Sequence, residues 1–444
     1  MNTYKSLVML GMLGVLAGCG DKEVILEGER LPIRPTVTAS AANPSSFGDG
    51  ETGTAGMAFS MPATVAATSW THTAGGPAHS AAHAALAAAP QLVWTASVGQ
   101  GNSRRHRLTA DPIVADGKVY TLDSRSRVTA TSTNGATLWA RDLTPPEERQ
   151  DDASGGGVAF ADGKVFATTG FGQVIAMDAG SGAELWRQSL DAPASASPTV
   201  VDGLVYVISR DNRAWAIDAK DGRVQWELPG TPTASGFVGG ASPAVTDRIA
   251  IFPFGSGEVV ATLRQGGVRL WGSAVSGKRL GRSYANITDI TADPVVVNDV
   301  IYTANQSGRA VALALNSGER LWTSREGAVG PMTVADNSVF MVSDQAELIR
   351  LDAATGERVW GKELSYFKRP RAKRSKAIFA HFGPVLAGGS LWVASDDGTL
   401  MSYDPATGDE RQSVALPGGA ASSMAVAGNT MYVVSARGQL HAFR

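Results

Sequence analysis

A glycine followed four residues later by a tryptophan recurs six times along the chain, as Gly135/Trp139, Gly182/Trp186, Gly222/Trp226, Gly267/Trp271, Gly318/Trp322 and Gly356/Trp360. Gly408 and Gln412 keep the spacing without the aromatic. A spacing held this often demands a repeated local structure, of the kind found in propellers and solenoids. The unit that ends at Trp360 spans residues 334–360 and reads VADNSVFMVSDQAELIRLDAATGERVW. It divides into four apolar runs of strand length, about 5–6 residues each, and the breaks hold the Asp, Asn, Ser and Gly that suit tight turns. The unit is read as a four-stranded antiparallel meander. Glycine suits its last turn because a positive φ is open to it, and the Trp four places on is expected to lie flat across the neighbouring sheet.

Copies of the unit follow one another at residues 112–139, 158–186, 198–226, 243–271, 294–322, 334–360 and 384–412, and a last copy, 424–443, stops after three strands. A lone strand with a Trp, QLVWTASV at 91–98, stands ahead of the first copy. An orphan strand at the front and a matching deficit at the back predict a ring. The chain is expected to be all-β, an eight-bladed β-propeller whose N-terminal strand completes the last blade and removes a free sheet edge. A solenoid is the alternative. Residues 70–86 (WTHTAGGPAHSAAHAAL) read as a lead-in of aromatic and small residues.

The first residues point to the envelope. Lys5 precedes an apolar run, 6–16, too short to span a bilayer, and the run ends in Leu16-Ala17-Gly18-Cys19. This resembles a bacterial lipobox: residues 1–18 are expected to be a lipoprotein signal peptide and Cys19, the only Cys in the chain, to become the acylated first residue. Gly20 after the Cys points to the outer membrane under the enteric sorting rule. Residues 19–68, rich in Ala, Ser, Thr, Gly and Pro, read as the lipidated Cys and a flexible tether with a reach of roughly 35–40 Å, and 69–444 as the propeller. Within the tether, 27–34 (EGERLPIR) is a candidate docking segment. A net charge of −2 gives no global reason to expect nucleic acid.

The segments LDAATGERVW and MDAGSGAELW resemble the repeat of the pyrroloquinoline-quinone (PQQ) enzyme-like propellers. With the lipobox, tether and eight blades, the chain is similar to the propeller lipoproteins of the outer-membrane β-barrel assembly (Bam) machinery, and the resemblance runs from Cys19 to the end. It implies a non-enzymatic scaffold without cofactor, lipid-anchored at the outer membrane and facing the periplasm. It further implies a monomer within a hetero-complex, which binds a POTRA domain of BamA and helps unfolded outer-membrane proteins reach the insertion site.

A quinoprotein dehydrogenase is the enzymatic alternative, and a propeller receptor for another envelope partner is a third. Quinoproteins typically hold PQQ beneath a vicinal disulfide, which a chain with a single Cys cannot form. The six histidines (His72, His79, His83, His106, His381 and His441) lack a recognised metal-ligand spacing, and the pairs Asp151/Asp152 and Asp396/Asp397 lie in expected turns, where carboxylates cap amides. Gly255-Ser-Gly257 lacks the third glycine of a dinucleotide loop.

Function is therefore sought in the connections between blades. Residues 272–293 form the longest, mixing Lys278, Arg279 and Arg282 with Ile287, Asp289, Ile290 and Asp293. By position it matches the link that contacts BamA in the resembled family, and Ile287, Asp289 and Asp293 fall at its apolar and acidic places. Where that family has an Arg nearby, this chain offers Arg282 or Asn286. The expected partner surface is Arg279, Arg282, Ile287, Asp289, Ile290 and Asp293. A second link, 367–379 (FKRPRAKRSKAIF), carries Lys368, Arg369, Arg371, Lys373, Arg374 and Lys376, a candidate for an acidic partner or lipid A phosphates. A third basic turn lies at 103–107.

Overall fold

The computed structural model describes residues 57–194, 196–233, 236, 239–275, 277, 279, 287–369 and 377–444. Among them lie eight four-stranded antiparallel sheets, and consecutive strands pair within each sheet. They form blades 1 (113–142), 2 (156–189), 3 (199–229), 4 (244–274), 5 (290–324), 6 (333–363) and 7 (381–415). Blade 8 joins strands from 420–443 to the strand Leu92–Ser97, which pairs antiparallel with the last strand of the chain, Leu440 facing Ala96 and His441 facing Thr95. The ring is therefore closed by its own N-terminal strand, as the repeat count predicts.

The glycine-tryptophan spacing joins blades. Gly356 has φ 72°, and a Cβ there would stand 2.4 Å from Cε3 of Trp322, the tryptophan of the blade before. No side chain fits under the indole, so two separate constraints call for glycine at this one position. The same stacking places Trp94 on Gly135, Trp139 on Gly182, Trp186 on Gly222, Trp226 on Gly267, Trp271 on Gly318 and Trp360 on Gly408. Each indole N–H also donates to a carbonyl of the blade it covers, for example Trp186 to Ala219 at 3.1 Å and Trp322 to Ala353 at 2.9 Å.

The missing aromatic at Gln412 has a physical reason. In blade 8 the third strand is the end of the chain and the fourth comes from Leu92–Ser97, so no third-to-fourth turn exists for an indole to cover. Gln412 instead donates Nε2–H to Ala88 O at 2.7 Å.

Inner strands start earlier than the motif suggests. Those of blades 5, 7 and 8 begin at Ile290, His381 and Ala420, upstream of Pro294, Pro384 and Met424, and each carries a register shift. Where strands bulge, period-two patterning breaks, which is why the sequence hides these starts.

The segment before Leu92 is part of the ring. Residues 67–86 run once around the inner strands, at the end of the bore where those strands finish. In order, Ala67 O accepts from Gly428 N–H of blade 8, Trp70 pairs with Val114 of blade 1, and Thr71 O accepts from Phe160 N–H of blade 2. His72 Nε2 then accepts from Val200 N–H of blade 3 at 3.0 Å. Pro77 O and Ala78 O accept from Val245 and Val296 of blades 4 and 5, and Ala84 exchanges bonds with Leu386 and Gly388 of blade 7. Ser80 and Ala81 share a cavity of about 20 Å³ with Thr333 and Val334 of blade 6. The circuit closes on itself where Val65 pairs with Ala84.

Ahead of this hoop, Phe59 packs edge-on against Phe340 at 5.6 Å, and Ala58 O accepts from the buried guanidinium of Arg350. Residues 57–68, expected in the tether, therefore lie against the ring, held by side chains of blade 6 at Ala58, Phe59 and Ser60 and by main-chain bonds at Val65 and Ala67. Cys19, Arg282, Arg371, Lys373, Arg374 and Lys376 lie outside the described residues.

Candidate functional site

Antiparallel pairing puts the tryptophan turns and the hoop at one end of the ring, and the blade-to-blade links at the other. The described residues among the sequence-selected links belong to this second end, but they are not equivalent. Arg279 makes a two-pronged ion pair with Asp344 of blade 6, Nε to Oδ2 at 2.7 Å and Nη2 to Oδ1 at 2.8 Å, and Nη2 also donates to Arg325 O. Asp344 is buried and also accepts from Gly327 N–H, so Arg279 fastens the link down across blade 5 to blade 6. A planar guanidinium suits this geometry and lysine does not.

Ile287 is half-buried, and its carbonyl accepts from Ser307 Oγ at 3.1 Å. Thr288 Oγ1 donates to Gly255 O of blade 4 at 2.9 Å. Asp289 is buried beside them, lining a cavity of about 160 Å³ with Arg210, Asn212, Thr233 and Gly255. Asn212 holds the far wall, accepting from Gly255 N–H and donating to Thr231 O. Sequence reading missed Arg210 and Asn212, which sit in a short turn of blade 3; only the ring brings that turn beside the link.

Two expected partner residues need correction. Ile290 opens the inner strand of blade 5 and is 2% exposed, packed with Ile249, Ile251 and Ile301 between blades 4 and 5. Asp293, 8% exposed, accepts from Ser242 N–H at 2.6 Å across the same seam. Both belong to the wall of the ring, not to the surface of the link. Asp111 does the same between blades 1 and 8, accepting from Ser423 N–H at 2.7 Å. Burial raises its carboxyl to about 7, and the charge of Asp293 adds to the rise while the Ser423 bond opposes it.

The basic link is a hairpin at its base. Phe367 pairs with Ile378, Lys368 N–H donates to Ala377 O, and Phe379 N–H donates to Tyr366 O. The Lys368 ammonium bonds Asp396 and lies 5.4 Å from the Phe379 ring centroid. Phe367 and Ile378 are exposed, as is Val329 of the preceding link. At the third basic turn, Arg104 and Arg105 are exposed.

The histidines serve structure. His83 Nδ1 bonds Pro62 O and its Nε2 accepts from Gly389 N–H, His106 bonds Asp151 O, His381 bonds Ser365 O and His441 bonds Thr95. Burial, reinforced by the nearby His79, lowers His72 to about 3 against a raising bond from Val200. Burial also lowers His79, opposed by the charge of Asp293. Among the described residues no three His, Cys, Asp or Glu side chains are grouped to hold a metal. Asp152 accepts from Arg149 N–H, Asp396 from Ala380 N–H and Asp397 from Thr399 N–H, the capping expected of turn carboxylates, while Asp151 pairs with Arg125.

A ring of four-stranded repeats locked by a tryptophan belt defines the eight-bladed propellers of the PQQ-repeat type. The fold is shared with the crystal structure of BamB from Moraxella catarrhalis, at TM-score 0.66 and 19% identity over 80% of this chain and 100% of that one. It is shared equally with the quinohemoprotein alcohol dehydrogenase of Comamonas testosteroni, at TM-score 0.65 and 16% identity over 85% of this chain and 80% of that one. Fold alone does not separate the two. The model of the family described as outer membrane protein assembly factor BamB matches residues 124–362 and 366–444, and the chain belongs to that family. Relatives named outer membrane protein assembly factor BamB include those of Moranella endobia, 25% identical over 70% of this chain and 82% of the relative, and Yersinia pestis, 25% identical over 70% and 80%.

Proposed function

We propose that this protein is a non-enzymatic scaffold of outer-membrane β-barrel assembly, anchored through Cys19 at the periplasmic side of the outer membrane and docked on a POTRA domain of BamA. The observation that carries the reading is the family match across nearly all of the ring. In this reading residues 1–18 are the signal peptide, residues 19–56 carry the lipid and the tether, and the protein works as one subunit of a hetero-complex that aids unfolded outer-membrane proteins.

The docking surface is the link end of blades 3 to 5. Ile287 offers a half-buried apolar contact, and Arg279 of the same link is held by Asp344 of blade 6. An apolar contact rimmed by charge is the usual composition of a modest protein interface. The basic hairpin, with Lys368 and Arg369 at its described base and four more basic residues in its sequence, is a second contact for an acidic partner surface or for lipid A phosphates.

Pull-down of the BamA homologue with the native protein and with an Ile287→Asp variant tests the first contact, thermal unfolding serving as the control for folding. Loss of capture with an unchanged melting temperature is expected. Undiminished capture removes this link from the interface.

A further inference from the structure

Residues 67–86 sit in the ring as a peptide sits in a receptor. The segment has little structure of its own beyond the turn in which Gly75 N–H bonds His72 O and Thr71 N–H bonds Gly75 O. What holds it is the ring's main chain. Val114, Phe160, Val245 and Val296 hold corresponding places in the inner strands of blades 1, 2, 4 and 5, and their N–H groups donate to successive carbonyls of the hoop at 2.8, 2.9, 2.8 and 3.0 Å. Gly388 and Gly428 add two more such bonds from blades 7 and 8, at 3.0 and 2.8 Å. Recognition of this kind reads backbone and is indifferent to most side chains, as in β-strand addition.

Side chains enter at four places. Trp70 is 3% exposed and packed among Val114, Val385, Met424 and Val426, and the buried His72, His79 and His83 bond main-chain groups of the ring at Val200, Pro294 and Gly389. Most of the remainder is Ala and Gly: Gly75, Gly76, Ala78, Ala81, Ala82, Ala84 and Ala85. Ala84 is buried against blade 7, whereas Ala82 is exposed and a Cβ at Gly76 would meet nothing within 4 Å.

We propose that this mouth of the bore is a polypeptide-binding site that reads main chain, and that residues 67–86 are its occupant in cis. When the hoop withdraws, the site takes an extended segment of another, unfolded polypeptide with one aromatic anchor followed by small residues. The site is separate from the link end, so it stands or falls independently of docking on BamA.

The connection 87–89 between hoop and closing strand is exposed, so a protease recognition sequence can be placed there in the full-length protein. After cleavage the hoop is held without a covalent link to the ring. A fluorescent peptide of residues 57–86 added in excess is expected to displace it, read by anisotropy while strand content by circular dichroism stays constant. A peptide with the same aromatic anchor and a scrambled order of small residues is expected to bind within tenfold of the native one. A Trp70→Ala peptide should bind at least tenfold more weakly, and one with its Ala residues changed to Leu should not bind.

In the uncut protein, the amides of Val114, Phe160, Val245 and Val296 are expected to exchange with deuterium faster than amides between middle strands of the blades, because the hoop opens without the ring unfolding. Protection equal to the blade interior, failure of the scrambled peptide to compete, or loss of strand content on cleavage each overturns the proposal. Dimers after cleavage, seen by mass, assign the mouth to a second copy of the chain and overturn it equally.

Discussion

At the hoop end of the ring seven of the eight seams repeat one device, a tryptophan stacked on the turn glycine of the next blade with its indole N–H on a neighbouring carbonyl. At the link end nothing repeats: the connections run from the short 416–419 to the long 364–380, and each finds its own partners. A device copied around a ring must satisfy the same packing at every seam that carries it, so substitutions there act on stability. A link has only its own local bonds to keep, and it is free to carry a partner-specific surface.

The largest expected effect that can break this contrast is Trp322→Ala at the hoop end, which should cost about 3–5 kcal/mol, the range for an aromatic removed from a core. Val329→Ser at the link end, where the side chain is 56% exposed, should stay within about 0.5 kcal/mol. Urea unfolding of both variants measures the difference, and equal costs would remove the distinction.

Gly356→Ala is next. It forces a φ of 72° on alanine and drives a Cβ into Trp322, for about 1–3 kcal/mol. Gly117→Ala has a similar φ, 69°, but nothing within 4 Å of its Cβ, so it isolates the backbone part of the cost. If the two variants melt alike, the indole gives way and the belt is looser than it looks.

The hoop adds a pH dependence to its end. Burial, reinforced by the nearby His79, keeps the His72 imidazole neutral in the folded protein, where it accepts from Val200 N–H and contacts Thr71. The unfolded chain binds a proton at this residue below about 6.5 and the folded protein only near about 3. Stability from His72 is therefore present above about 6.5 and declines on acidification, by up to about 1.4 kcal/mol per pH unit. His72→Gln, which keeps an acceptor for Val200, should flatten the fall in melting temperature between pH 6.5 and pH 4. An unchanged slope would show that the hoop releases before the imidazole matters.

Asp111 adds a dependence of the opposite sign. Its pKa is raised to about 7 from 3.8, so the folded protein holds the proton longer than the unfolded chain and stability falls as pH rises between these values. Asp111→Asn keeps an acceptor for Ser423 N–H and should raise the melting temperature by a few degrees at pH 8, with no change below pH 3.8.

Much of the hoop end was legible because glycine and tryptophan report their surroundings locally. A positive φ needs Gly356 whatever surrounds it, and the repeat of the pair gives the number of blades. Even the exception at Gln412 is readable once the closing strand is recognised. Arg279 and Asp289 were rightly assigned to a link, but not their bonds: Asp344 lies two blades from the start of that link, and the turn of Arg210 and Asn212 lies in blade 3. Ile290 and Asp293 were misread as link because their strand bulges, and a bulge erases the alternation by which a strand is recognised.

The family match and the chemistry of the repeat both rest on residues whose meaning is local, so the sequence alone determined a closed ring of eight blades and the family to which it belongs. The hoop required the tertiary structure. Its main-chain hydrogen bonds reach six different blades, from Val114 to Gly428, and a backbone N–H leaves no mark on the identity of its residue. What residues 67–86 show in sequence is a run of small residues with a Trp and three His, and it takes the assembled bore to show what each of them meets.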